Sequence, residues 1–147
     1  MSFTIRRATR DDKPEWLRMR QGLWTEAPLE YLALDVDNLL ADENSAVFIA
    51  SSEHGQPVAF IEVGLRDYAE GCETSPVGYI LAWYVDPHVR GQKLGRELIR
   101  VAEDWARERG VTEMASDTWL DNDASIQAHL KMGYYEVDRL VHFVKQL

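Results

Sequence analysis

The chain has one cysteine, Cys72, so an internal disulfide is impossible. Its four histidines show no metal-ligand spacing with that cysteine, and no metal is expected. No apolar run approaches the roughly 20 residues that a bilayer span requires. The opening "MSFTIRRATRDDKPEW" also has no apolar signal core. The expectation is a protein without a membrane partner, at work in the cytoplasm. Basic residues are in the minority: 16 Lys and Arg stand against 25 Asp and Glu, for a formal net charge of -9. Such a field disfavours nucleic acid and attracts cations. Linkers, repeats and low-complexity stretches are absent as well, so one domain over residues 1–147 is expected. What is present, 46% hydrophobic and 28% charged residues, suits a packed globule and argues against disorder.

The periodicities change in a readable order. "SFTIRRAT" alternates like an edge strand. Asp11 or Asp12 can cap a helix that accepts Pro14 in its first turn and carries Trp16, Leu17, Leu23 and Trp24 on an apolar side. Leu29, Leu32, Val36, Leu39 and Leu40 recur at helical spacing. "AVFIAS" and "PVAFIEVGLR" read as a hairpin joined through His54-Gly55-Gln56. "GYILAWYV" is apolar throughout, like a strand covered on both faces. From Leu94, the spacing of Leu98, Val101, Ala102 and Trp105 marks an amphipathic helix that Gly110 ends. "VTEMASDT" reads as a strand, "NDASIQAHLKM" as a short helix closed by Gly133, and "YYEVDRLVHFVKQ" as strand structure. The order predicts an α/β sandwich with a sheet of mixed direction.

Where the apolar strand hands over to the amphipathic helix lies "VDPHVRGQKLGREL", a basic, glycine-bearing loop. A helix N-terminus offers unpaired N–H groups and glycine allows close backbone approach, so the segment can hold phosphate oxygens, with Arg90 and Lys93 adding charge. The segment resembles the acetyl-CoA-binding motif of the GNAT superfamily of N-acetyltransferases: Arg or Gln, two residues, Gly, one residue, then Gly or Ala. Arg90 and Gly95 match its ends, and Lys93 stands where the middle glycine usually lies. Gly91 then supplies flexibility, or the Lys93 side chain contacts the pyrophosphate or 3'-phosphate. "NDASIQAHLKMGY" adds the Asn and the Gly-aromatic pair of that superfamily as Asn122 and Gly133-Tyr134. The resemblance implies a GNAT-type mixed, mainly antiparallel central sheet flanked by helices. It also implies acetyl-CoA as co-substrate, held by Tyr84, Val85, Arg90, Gly91, Gln92, Lys93, Leu94, Gly95 and Asn122.

Three further segments, "EWLRMRQGLW", "RDYAEGCETSPVGY" and "EMASDT", resemble the bacterial aminoglycoside 6'-N-acetyltransferases. That resemblance implies acetyl transfer to the 6'-amine of an aminoglycoside, with Trp24, Tyr68 and Asp117 at the substrate. It also implies a homodimer in which acids near Glu136 approach the neighbouring subunit's site. Leu81 stands where members of the group carry a Glu that holds substrate ammonium groups, so Asp117, Glu73 and Glu136 become the candidates for that task.

Acetyl transfer from a thioester to an amine needs a neutral amine, donors for the oxyanion and a proton for the leaving thiolate, but no covalent enzyme intermediate. Asp117, at the end of an expected strand, suits a base acting directly or through water. His129 occupies the place, four residues before Gly133, where many superfamily members carry a Tyr proposed as general acid. Backbone N–H groups near Val85 suit the oxyanion. Cys72 reads as a small buried hydrophobe. The competing expectations are a GNAT enzyme for another small amine or polyamine, and a non-catalytic acyl-CoA-binding domain.

Overall fold

The computed structural model describes residues 2–147. A central sheet has the order β1 (Phe3–Arg7), β2 (Ser45–Ser52), β3 (Pro57–Arg66), β4 (Val77–Val85) and β5 (Met114–Ser116). The first three pairings are antiparallel and β4–β5 is parallel, which gives the mixed, mainly antiparallel sheet expected from the sequence. Helices α1 (Lys13–Leu23) and α2 (Leu29–Ala41) follow β1, α3 (Leu94–Glu108) joins β4 to β5, and α4 (Asp123–Lys131) follows β5. Among the described residues, no helix is long and apolar enough to cross a membrane.

Two cores form because β2, β3 and β4 are covered on both faces. On one face Leu98, Ile99, Ala102 and Trp105 of α3 pack on Ala50, Ile61, Val63 and Ile80. On the other, Trp16 and Met19 of α1 and Val36 of α2 pack on Val47, Ile49, Phe60 and Ala82. Burying each large side chain of this kind contributes about 1.5–3 kcal/mol. Pro14 occupies the first turn of α1, but Asp12 does not cap that helix. Asp12 instead accepts hydrogen bonds from the Thr9 N–H and from Arg6, closing a 3-10 turn (Arg10–Asp12) ahead of α1.

Strand β4 carries an irregularity that positions the site. Glu62 of β3 pairs with Ala82 and Val63 with Ile80, so Leu81 is the extra residue of a bulge. Leu81 and Ala82 therefore both face the α1/α2 side. The parallel ladder to β5 ends at Ile80–Ser116, and β4 runs on from Leu81 to Val85 without a β5 partner. The two strands part there, leaving a gap beside the unpaired β5-side edge of β4.

The C-terminal segment departs from expectation. Residues 134–147 form no helix or strand and expose Tyr135, Val137, Leu140, Val141, Phe143 and Val144. Strand-like alternation is satisfied only by a partner edge, and among the described residues no strand pairs with this segment, although Val137 packs against Gly71.

Candidate active site

The open end of β4 leads through Asp86 and a 3-10 turn (Pro87–Val89) into the basic loop and α3. Arg90 Nε donates to the Val85 carbonyl at 2.8 Å, which folds the loop back on the strand end. Gly91 adopts φ 83° and Lys93 φ 64°. The left-handed backbone at Lys93 costs a residue with a Cβ about 1–2 kcal/mol, and this is the physical reason a glycine suits that position. Gly95 serves packing: a Cβ there would lie 2.9 Å from Trp83 Cζ2. The first turn of α3 thus sits against Trp83, whose Nε1 is buried without a partner. Exposed Gln92 completes the turn, and Leu94 anchors it in the core. Unpaired helix N–H groups, Arg90, Lys93, the orphaned indole N–H and the gap beside β4 together fit a phosphate-bearing, chain-like acyl carrier.

Two residues assigned to the cofactor have other work for their side chains. Tyr84 stacks on Phe60 with centroids 6.1 Å apart on the α1/α2 side, which leaves only its backbone for the gap. Asn122 caps α4, its Oδ1 accepting from the Ser125 N–H at 3.1 Å.

On the α1/α2 side, a cleft of about 350 Å³ is bounded by Arg20, Trp24, Asp35, Asp42, Glu62 and Leu81. Sequence reasoning passed over the ion pair at its base. Arg20 and Glu62 are 3% and 1% exposed, joined by two hydrogen bonds of 2.8 and 2.9 Å. Trp16 Nε1 donates to the same carboxylate at 2.8 Å, and the Arg20 guanidinium lies 4.7 Å from the Trp24 ring centroid. A Glu in the middle of the apolar strand "PVAFIEVGLR" was the available signal.

Asp117 lies just past β5, exposed, with Oδ2 accepting from Tyr79 OH at 2.5 Å. Burial and the carboxylate push the Tyr79 phenol well above its ordinary range, so it remains a donor. The Arg66 guanidinium covers the Tyr79 ring at 3.5 Å. Ala69, with Cys72 beside it, packs the loop after β3 against Tyr79, Leu81 and Ala115. The same loop carries exposed Tyr68 and Glu73. Glu113 holds it by accepting from the Glu73 and Thr74 N–H groups at 2.9 and 2.7 Å. Cys72 is half-buried rather than buried. Burial, with Glu113 and Glu70 nearby, pushes its thiol up and away from nucleophilic character. Glu136 is paired with Arg139 in the C-terminal segment, and its neighbour Val137 packs against Gly71 of the same loop.

His129 approaches from the other face. Its ring meets Trp83 and Tyr134 edge-on at 5.5 and 5.7 Å, and Tyr134 OH donates to Glu103 at 2.7 Å. Nδ1 lies 2.7 Å from the Ser125 carbonyl and Nε2 lies 2.8 Å from Ser116 Oγ. The site therefore offers an acid on one face, an imidazole–hydroxyl pair on the other, and a gap between them.

Comparison with known proteins agrees with this geometry. Residues 13–134 match the model of the acetyltransferase (GNAT) family. The chain is 42% identical over 143 residues to the aminoglycoside N(6')-acetyltransferase type 1 of Stenotrophomonas maltophilia, covering 95% of this chain and 91% of that protein. It is 38% identical to the protein of the same name from Klebsiella aerogenes, covering 97% and 96%. The structure of AAC(6')-Iy in complex with the bisubstrate analog CoA-S-monomethyl-acetylneamine superposes with a TM-score of 0.92 at 28% identity, over 100% of both chains. The apo enzyme AAC(6')-IG from Acinetobacter haemolyticus gives 0.90 at 34% identity, over 98% of this chain and 99% of that one.

Proposed function

The chain belongs to the GNAT acetyltransferase family, and from that premise we propose that it transfers the acetyl group of acetyl-CoA to the 6'-amine of aminoglycoside antibiotics, conferring resistance, by direct attack in a ternary complex. The observation that carries the reading is the gap: β5 leaves β4 at Ile80, and the α3 N-terminus with its basic loop stands at the far end of the freed strand.

The loop from Arg90 to Gly95 holds the phosphates of acetyl-CoA through backbone N–H groups, with Arg90 and Lys93 adding charge. The free edge of β4 offers N–H groups for the chain of the co-substrate and for the oxyanion. Holding amine and thioester in line supplies much of the acceleration, because well-oriented pairs reach effective molarities on the order of 10⁵ M or more. Asp117, fixed by Tyr79, holds the substrate ammonium and accepts its proton directly or through water. Trp24 and Tyr68 flank the acceptor, while Asp117, Glu73 and the acids of the cleft attract its remaining ammonium groups. His129 is the proton source for the thiolate. Metal is not called for in this scheme.

The protein acts in the cytoplasm, where acetyl-CoA is made and used, as a single catalytic domain. It acts there as a homodimer, a reading supported by the unpaired apolar face of residues 134–147. In that assembly Glu136 lies near the partner's acceptor site. Light scattering should return twice the chain mass, and Phe143→Asp with Val144→Asp should return a monomer. A wild-type monomer would remove the dimer.

The reaction itself is tested by following free CoA release across kanamycin, tobramycin, polyamines and small-metabolite amines. Turnover confined to aminoglycosides supports the reading. Leu81, in place of an acid, makes polyamine turnover the informative alternative. Thermal stabilisation by acetyl-CoA without turnover of any amine would indicate a binding domain.

A further inference from the structure

His129 Nδ1 faces the Ser125 carbonyl oxygen at 2.7 Å, an atom that can only accept, so Nδ1 carries a hydrogen. In the neutral ring Nε2 is then an acceptor, and it takes the hydroxyl hydrogen of Ser116 across 2.8 Å. Both imidazole nitrogens are therefore engaged, and neither is free to meet a leaving group. Ser116 is also the last β5 residue paired with β4, opposite Ile80, so it stands where the gap opens. We propose that Ser116 Oγ is a further catalytic group, relaying a proton from His129 Nε2 to the departing CoA thiolate. The proposal rests on the acetyl-transfer reading and names a residue outside the set expected from the sequence.

The step balances. Before transfer His129 is protonated on both nitrogens, Nε2–H donates to Ser116 Oγ, and the Ser116 hydroxyl turns its hydrogen toward the gap. As the carbon–sulfur bond breaks, the thiolate sulfur takes the Ser116 hydrogen and Oγ takes the Nε2 hydrogen. The products are CoA thiol, a restored serine hydroxyl and the neutral Nδ1–H ring, which keeps its contacts to the Ser125 carbonyl and Ser116 Oγ. Half-buried His129 recovers its proton from solvent. Nδ1–H keeps its hydrogen bond to the Ser125 carbonyl in both states of the ring.

The test uses Ser116→Thr and Ser116→Val, which have the same shape and differ by the hydroxyl. A weak amine substrate makes chemistry limit turnover, and wild-type turnover reports separately on the acetyl-transfer reading. Ser116→Thr should keep kcat within a few-fold of wild type. Ser116→Val should lose about 10²-fold in kcat at unchanged KM for acetyl-CoA, near the low end for general acid catalysis. Because the two groups act in series, Ser116→Val with His129→Phe should be no slower than either change alone. The solvent proton inventory should be bowed in wild type and linear in Ser116→Val. Equal kcat for Thr and Val, or losses that multiply in the double variant, would overturn the relay.

Discussion

Asp117 and His129 reach the end of β5 from opposite faces of the sheet: Asp117 is hydrogen-bonded to Tyr79 on the α1/α2 side, and His129 to Ser116 on the α3/α4 side. Ser116 and Asp117 are consecutive, and strand alternation sends them to opposite faces. In the proposed function, removal of a proton from the amine and delivery of one to the thiolate therefore fall to groups on opposite faces of the sheet.

Tyr79 holds one carboxylate oxygen of Asp117, and in the proposed function the other is left for substrate. A hydrogen bond to a charged group contributes about 1.5–3 kcal/mol, so Tyr79→Phe should lower kcat/KM for the amine roughly 10- to 100-fold. Asp117→Asn should cost more, and the double variant no more than Asp117→Asn alone. Acetyl-CoA affinity, read by calorimetry, should be unchanged in all three. A full-rate Tyr79→Phe enzyme would leave Tyr79 a packing residue.

The loop between β4 and α3 carries backbone strain at Lys93. Lys93→Gly relieves the left-handed cost but adds freedom to the unfolded chain, so a net gain of about 0.5–1 kcal/mol is expected. That corresponds to a melting temperature about 2 °C higher. If Lys93 contacts phosphate, the KM for acetyl-CoA rises at the same time. Gly95→Ala, by contrast, should lose about 1–3 kcal/mol from overpacking on Trp83. A stable Gly95→Ala protein would return Gly95 to the role of a cofactor-approach glycine.

Arg20 and Glu62 form a buried pair, and removing one partner leaves an uncompensated charge. Arg20→Met should destabilise by about 3–5 kcal/mol, and adding Glu62→Gln should recover most of it, because Gln still accepts from Trp16. Urea denaturation midpoints measure both. Additive losses would mean that the two residues do not act as a pair.

Much of this was legible in the sequence. The unbroken apolar run of β4 and the single apolar face of α3 encode burial directly, and "VRGQKLG" marked the loop between them. Three features were not legible. The bulge at Leu81 depends on the register of β4 against β3, which no single segment contains. The alternation of residues 134–147 signals that they can form a strand but not where a partner edge lies. Tyr79 and Ser116 acquire their roles only when β5 settles beside β4 and α4 folds back, bringing together residues 38 and 13 positions apart.

Asp12 gives a pH dependence with a definite sign. Its hydrogen bond to Arg6, reinforced by the Thr9 N–H against a burial effect of opposite sense, holds the carboxyl below the usual carboxylate range. A carboxyl depressed in the folded state stabilises fully above the unfolded value, near pH 4, and that stabilisation fades as pH falls through the folded value. The melting temperature of Asp12→Asn should therefore fall less steeply than wild type in acid. Parallel curves below pH 4 would remove Asp12 from the acid limb.

The central claim is acetylation of a 6'-amine, and the most direct measurement is mass spectrometry of the products from matched aminoglycosides bearing 6'-NH₂ or 6'-OH. With acetyl-CoA and the wild-type protein, one added acetyl group on the 6'-amino compounds and none on the 6'-hydroxy analogues is predicted. Equal modification of both, or of neither, would contradict the account.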